Sequence, residues 1–427
     1  DMISSFLDEL EKNAGAIPKF AHNLQGDPKR VLYSGPLFDR AEISAAIESL
    51  VIGNWISSGT MVARFENRFS EATNIGHSVM VNSGSSANLV MIAALKKFYD
   101  WKDGDEIIVS VVGFPTTVAP IFQNNLKPVF TDIEYETLNF DLSLVERAIT
   151  PRTRAIFLSP VLGNPPDMDE LIRICEDNSV KLILDGCDSL GSLWGGSELS
   201  EYAVATSCSF YPAHHITTGE GGMVSSNEEG IITLARSIAW WGRDCYCVGK
   251  ANLLAKGTCG NRFDNWLDCA DCIIDHKYVF TNIGYNLKPL DLQGAIGIKQ
   301  LEKMDSIHIS RRENKQKVEE LFLKHIKGIR SSKQFGKSDP SWFGVPFICE
   351  DSKLKERLVL HLEMNNVQTR NYFAGNLLIH PGYKSLGNWE DFPLANRVLG
   401  EVFFVGCSPT FTEDSFTHME NVLEEFS

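Results

Sequence analysis

Adjacent histidines, His214 and His215, stand in the stretch SFYPAHHITTGEGG (209–222). Neighbouring side chains point in different directions in a helix or a strand, so the pair does not share a metal. One imidazole can serve as a base near neutral pH while the other is structural, or the pair is an ordinary surface feature. Upstream, Asp185-Gly186-Cys187-Asp188 closes the apolar run VKLILD. An acid there is either a helix cap or a carboxylate held against a protonated pyridine nitrogen, which keeps such a ring electron-withdrawing. Ser83-Gly84-Ser85-Ser86-Ala87-Asn88 follows HSVMVN. Small residues at a helix start let backbone N–H groups approach an anion, so this segment is a phosphate cradle or a plain strand-to-helix turn with a capping serine. The chain has ten cysteines, five of them between 245 and 272. Cys187, Cys245, Cys247 and Cys259 form a candidate thiolate set suited to zinc or to an iron–sulfur cluster, with Cys269-x-x-Cys272 as a further close pair. Structural zinc generally takes two close pairs, so the pattern favours zinc weakly.

Such residues need strand ends to position them. HSVMVN (77–82), DEIIVSVV (105–112), KPVFTDI, RAIFLSPVL, VKLILD, VATSCSF and GGMVSS are short β-branched runs. They alternate with helical segments such as NLVMIAALKKF (88–98) and DMDELIRICEDN. That pattern predicts an α/β fold with a mostly parallel sheet buried on both faces, and ligands then sit at the carboxyl ends of its strands. Asp39 and Glu42 have the spacing of a capping box for a helix starting at 39. Residues 1–30 are read as an N-terminal helix and arm, 31–305 as the large domain with an irregular cysteine-rich loop over 241–280, and 306–427 as a smaller α/β domain. The run from Leu290 to Ile326 reads as helix, followed by WFGVPFIC, a helix KLKERLVLHLEMNN and a last helix from Glu413.

Charge and composition narrow the function. Net charge is 40 − 55 = −15, which excludes a broad nucleic-acid face but not a small anionic ligand held by backbone dipoles. No apolar run approaches the ~18 residues that span a bilayer, and DMISSFLDELEKNAG has neither the basic start nor the apolar run of a secretory signal. A cytoplasmic protein with cysteines kept as thiols or metal ligands is the expectation.

Taken together these segments resemble the DegT-type nucleotide-sugar aminotransferases, which have fold type I of the pyridoxal-phosphate-dependent transferases. The resemblance runs from about residue 33 to the C-terminus. It is carried by W-x-x-x-G at 55–59 with Phe65-Glu66, SGSSAN at 83–88 and GFPTT at 113–117, then by D-x-x-D at 185–188, SFYPAHHITTGEGG, and GYNLKPLDLQGAIG at 284–297. It implies that Gly84 and Ser85 contact a cofactor phosphate, with Ser209 adding a hydroxyl. Phe114 stacks on the pyridine ring, Asp185 pairs with the ring nitrogen, and Asp188 lies near the ring hydroxyl. Asn286 reaches the phosphate of the neighbouring subunit of a homodimer. The aminotransferases carry at 214 a lysine that links covalently to pyridoxal phosphate. Histidine has no primary amine, so the implied cofactor is pyridoxamine phosphate, or pyridoxal phosphate held non-covalently, with His214 as the catalytic acid–base group. This is the pattern of the family's 3-dehydratases, whose substrates are nucleotide-diphosphate sugars.

Within that branch, Cys, a long gap, Cys-x-Cys, a short gap and Cys resembles the enzymes that remove the C-3 hydroxyl of a CDP-4-keto-6-deoxyhexose in dideoxysugar and lipopolysaccharide biosynthesis. Those enzymes add a [2Fe–2S] cluster, fed by an NAD(P)H-dependent reductase, to reduce the dehydrated sugar. The implied ligands are Cys187, Cys245, Cys247 and Cys259. The eleven residues between Cys247 and Cys259 are more than the family has, and Cys269 is the substitute. Three rival readings stand beside this one. A GDP- or dTDP-sugar 3-dehydratase differs in nucleotide, and the GDP type has no cluster. A non-catalytic family member would have no reason to keep Asp185, Phe114 and the phosphate cradle. A zinc-stabilised structural protein would be told apart by metal analysis.

Overall fold

The computed structural model describes residues 2–14, 30–53, 55–245 and 260–426. Seven strands build the large sheet: β1 (His77–Val81), β2 (Glu106–Ser110), β3 (Lys127–Thr131), β4 (Thr153–Leu158), β5 (Lys181–Asp185), β6 (Ala205–Ser209) and β7 (Gly222–Ser226). Their spatial order is β1-β7-β6-β5-β4-β2-β3. The neighbours from β6 to β3 pair parallel, while β7 runs antiparallel to both β1 and β6. The two reversals cancel, so the carboxyl ends of β1, β5 and β6 face the same way.

The near-continuous apolar runs follow from a sheet covered on both sides. Ile107, Val109, Phe157 and Ile183 pack with Val90 and Met91 of α4 (Gly84–Phe98) and Ile231 of α7 (Glu229–Ala239). The alternating residues Ile108, Ile156, Leu158 and Leu182 pack instead with Leu171 and Ile174 of α6 (Met168–Asp177). Each such side chain is fully or almost fully buried, worth about 1.5–3 kcal/mol of transfer free energy.

Among the described residues, the remaining helices of nine residues or more are α1 (Met2–Ala14), α2 (Arg40–Ile52), α3 (Thr60–Ala72), α5 (Pro115–Gln123), α8 (Asp291–Leu301), α9 (Met304–His325), α10 (Ser352–Met364), α11 (Pro393–Glu401) and α12 (Glu413–Glu424), and a shorter helix spans Leu142–Arg147. The Asp39–Glu42 capping box forms at the start of α2. The helix expected over 290–326 is two helices, α8 and α9, separated at Glu302 and Lys303. Helix α3 is pinned to β1 by the buried carboxylate of Glu66, which accepts from the Met80 N–H at 2.8 Å and from both Arg236 Nη atoms at 3.1 and 2.8 Å. A smaller antiparallel sheet holds β8 (Ile329–Ser331), β9 (Gly344–Cys349), β10 (Thr369–Asn371) and β11 (Val402–Gly406) in the order β8-β9-β11-β10. Of the N-terminal arm, residues 15–29 lie outside the described residues. So do 246–259, which carry Cys247 and Cys259.

Candidate active site

A cavity of about 760 Å³ opens at the carboxyl ends of β1, β5 and β6 and is closed on the far side by Phe343, Arg370, Phe373 and Phe404, on or beside the smaller sheet. The cradle sequence builds its floor. Ser83 caps α4 by accepting from the Ser86 N–H at 3.1 Å, so the helix begins at Gly84 rather than at Asn88, and its free N–H groups face the cavity rim. A Cβ on Gly84 would lie 2.5 Å from Ser209 Cβ and 3.1 Å from Cys187 Sγ. Glycine is needed there because β1, β5 and β6 converge on one point. Ser85 donates to Thr116 at 3.0 Å, which ties the cradle to α5.

Asp185 ends β5 and is 5% exposed. Its Oδ2 accepts from Asn88 Nδ2 at 2.8 Å and Thr117 Oγ1 at 2.6 Å, and its Oδ1 accepts from the Cys187 N–H at 3.2 Å. Ser207 in turn donates to Asn88 Oδ1 at 2.6 Å. Sequence reasoning missed Asn88, Thr117 and Ser207 as site residues. Two of them sit inside the motifs SGSSAN and GFPTT, but only the three-dimensional convergence shows that they grip one carboxylate.

Asp188 and His214 also line the cavity. His214 Nδ1 lies 3.5 Å from Asp188 Oδ1 and has no hydrogen-bond partner among the described residues. Burial pushes the His214 imidazole down to about 4, against the pull of the Asp185 charge, with Arg311 adding to the fall. Burial pushes Asp188 up to about 7, and the charge of Asp185 adds to the rise. Near neutral pH an unprotonated imidazole therefore stands beside a carboxyl group that readily takes or gives a proton, as general acid–base chemistry requires. His215 points away into the core, with Nε2 at 2.6 Å from the Ser341 carbonyl, so it is the structural member of the pair.

Phe114 presents a half-exposed ring to the cavity, edge-on to Phe373 at 6.0 Å. Tyr33, Tyr211 and Arg370 also line the wall; Tyr211 lies inside the SFYPAHH motif, while no sequence signal marked the other two. Asn286 is exposed and lies outside the lining, on a segment bridged to Trp240. Cys187 lines the large cavity beside Asp185, and burial raises its thiol. Cys245 lines a separate cavity of about 80 Å³ with Arg243, Thr281 and Asn282. The described residues alone do not assemble four thiolates, since Cys247 and Cys259 lie outside them. Cys269 and Cys272 are exposed.

The raised Asp188 carries a stability consequence. Its native pKa exceeds the unfolded value of about 3.9, so between pH 4 and 7 the native state binds more protons and stability falls as pH rises. Asp188→Asn mimics the protonated form. Urea unfolding should find it about as stable as the parent at pH 4 and more stable by about 2–4 kcal/mol at pH 8. Equal pH dependence of the two proteins would contradict the assignment.

Comparison with known proteins fits this geometry. The family model described as the DegT/DnrJ/EryC1/StrS aminotransferase family matches residues 38–424. The chain is 36% identical over 408 residues to lipopolysaccharide biosynthesis protein RfbH of Salmonella typhimurium, covering 92% of this chain and 91% of that protein. It is 36% identical over 401 residues to the dTDP-4-dehydro-2,6-dideoxy-D-glucose 3-dehydratase of Saccharopolyspora spinosa, covering 92% and 86%. The solved structure of the E. coli GDP-4-keto-6-deoxy-D-mannose-3-dehydratase with bound hydrated PLP superposes with a TM-score of 0.80 at 29% identity, covering 92% of this chain and 99% of that one. The matched region spans both sheets and every strand end that lines the cavity, and the chain belongs to the DegT/DnrJ/EryC1/StrS aminotransferase family.

Proposed function

We propose that the protein is a nucleotide-sugar 3-dehydratase using pyridoxamine phosphate, or pyridoxal phosphate held without a covalent link. The observation that carries this reading is the base at the cavity: His214 stands where the aminotransferases have lysine, and the described lining contains no lysine. The names of the relatives support the reaction class.

The residues fit the cofactor. Gly84 opens α4 at the cavity with its backbone N–H groups free, Ser83, Ser85 and Ser209 bring hydroxyls to the helix start, Asp185 supplies a buried carboxylate, and Phe114 offers an open ring. When bound, the cofactor supplies an amine that condenses with a sugar ketone and a ring that accepts electrons. The chain does the rest. Asn88 and Thr117 fix Asp185 against the ring nitrogen. His214 takes and returns the proton, and Asp188, beside Nδ1, orients it. The phenylalanines of the far wall exclude water.

The finer reading is a CDP-4-keto-6-deoxyhexose substrate and a [2Fe–2S] cluster on Cys187, Cys245, Cys247 and Cys259, fed by an NAD(P)H-dependent reductase. It rests on the cysteine spacing. A dTDP-sugar is the second reading, favoured by the 36% identity to the dTDP-sugar enzyme. A homodimer is part of the proposal. Val51, Ile52, Trp55 and Ile56 are exposed, as is Ile283, and Ile56 and Leu290 stand side by side through the Asp291 N–H to Ile56 carbonyl bond. This apolar strip includes the segment of Asn286, and apolar strips of this kind mark interfaces. Among the described residues no helix is long and apolar enough to cross a membrane, and a cytoplasmic site of action is proposed with the rest.

His214→Asn should keep the cofactor and lose C-3 deoxygenation by about 10²–10⁴-fold, measured on CDP-, dTDP- and GDP-4-keto-6-deoxyhexoses. Near-normal turnover by this variant would remove His214 from the reaction. Cys187→Ser and Cys245→Ser should each lower iron and acid-labile sulfide in anaerobically purified protein while pyridoxal phosphate still binds. If Cys259→Ser keeps full iron and Cys269→Ser loses it, the fourth ligand is Cys269. If none of these changes matters, the protein holds no such cluster.

A further inference from the structure

Arg311, on α9, is 0% exposed, yet it does not line the cavity. Its Nη2 donates to the His214 carbonyl at 3.3 Å, and its Nη1 donates to the carbonyls of Trp342 at 3.1 Å and Phe343 at 3.2 Å. Among the described residues no carboxylate lies within ion-pair distance of it, and its Nε has no hydrogen-bond partner. A guanidinium buried against three carbonyls and the Cys407 thiol is an expensive way to fill space, because desolvating the charge costs more than an apolar side chain of the same volume. Its partners explain its presence.

His214 sits on the loop between β6 and β7, outside any helix or strand, so no repeating backbone ladder fixes it. Phe343, at the entry to β9, packs its ring 5.2 Å from the His214 imidazole. One guanidinium therefore holds both the peptide that carries the imidazole and the peptide that carries the ring beside it. The neighbouring contacts run the same way. His215 reaches the Ser341 carbonyl at 2.6 Å, and His308, one turn before Arg311 on α9, meets the Ser341 hydroxyl at 2.6 Å. Loop 214–215 and segment 341–343 are thus clamped from α9.

We infer that Arg311 is a positioning residue, which holds His214 in register with Phe343 across the junction of the two sheets and acts on the reaction only through His214. The inference rests on the reading of His214 as the acid–base group. A small displacement of a proton-transfer group is enough to slow turnover by an order of magnitude or more. A purely structural arginine would change the amount of folded protein but not the turnover of what is folded.

A double-mutant cycle separates these cases. The four proteins are the parent, Arg311→Lys, His214→Asn and the double variant. They are assayed on whichever of the CDP-, dTDP- and GDP-4-keto-6-deoxyhexoses the parent turns over fastest, with rates taken per folded, cofactor-loaded chain. Arg311→Lys is expected to lower kcat about tenfold while KM and the affinity for pyridoxal phosphate stay within about threefold. In the His214→Asn background the same change should alter kcat by less than about twofold. Full turnover by folded Arg311→Lys would overturn the inference, and so would an equal loss in both backgrounds, which leaves the His214 reading intact. Undiminished activity of His214→Asn alone would sink that reading and the inference with it. If Arg311→Lys does not fold, Arg311→Gln, whose amide can still donate to one carbonyl, replaces it in the cycle with the same outcomes.

Discussion

The carboxylate of Asp185 is removed from water and satisfied by donors from separate elements: Asn88 from α4, Thr117 from α5 and the Cys187 N–H from its own strand end. A polar group placed so deep is tolerable only when hydrogen-bond donors reach it, so those elements must meet in one register. That requirement reaches far into the fold. It sets the height of α4 against the sheet, and so the place where its first N–H groups emerge. It brings Gly84 so close to Ser209 and Cys187 that no side chain fits. It also fixes the strand end from which Asp188 faces His214.

His214 stands inside this frame, at the place where the resemblance to the aminotransferases puts a lysine. A lysine ammonium would balance the two aspartates, whereas a buried imidazole is held neutral. Burial, with the charge of Asp185 adding to it, raises Asp188 to about 7. The cavity thus holds an imidazole and a carboxyl group side by side and, among its described lining, no lysine amine. Placing such a pair depends on the loop that carries His214. That loop leans on α9 through Arg311, and on the segment leading into the smaller sheet through His215 and Phe343, so both sheets contribute to one cavity.

The strands of the large sheet were legible because each is an apolar run with its two faces packed against different helices, as Ile107 and Ile108 illustrate. Strand β11 was not read. VFFVG is equally apolar, but helix and strand cannot be separated in so short a run without a turn signal. The break between α8 and α9 was hidden because Glu302 and Lys303 are good helix formers. At the site, Gly84, Ser85, Asp185, Asp188, Ser209, Phe114, Cys187 and His214 came together as the motif order implied. Thr117, Ser207 and Arg311 did not announce themselves, since a hydroxyl or guanidinium that grips another residue leaves no local pattern in sequence. Cys187 lines the large cavity and Cys245 a second one, and spacing along the chain carries no information about either wall.

In the proposed reaction His214 leaves the cofactor without a covalent anchor. The direct measurement is to saturate the purified protein with pyridoxal phosphate, follow its absorbance, treat the complex with borohydride and weigh the intact chain. Saturable binding at one equivalent per chain with no stoichiometric gain in mass is the predicted result. A stoichiometric adduct mapping to a lysine would show that another residue serves as the anchor, and would contradict the assignment of this site.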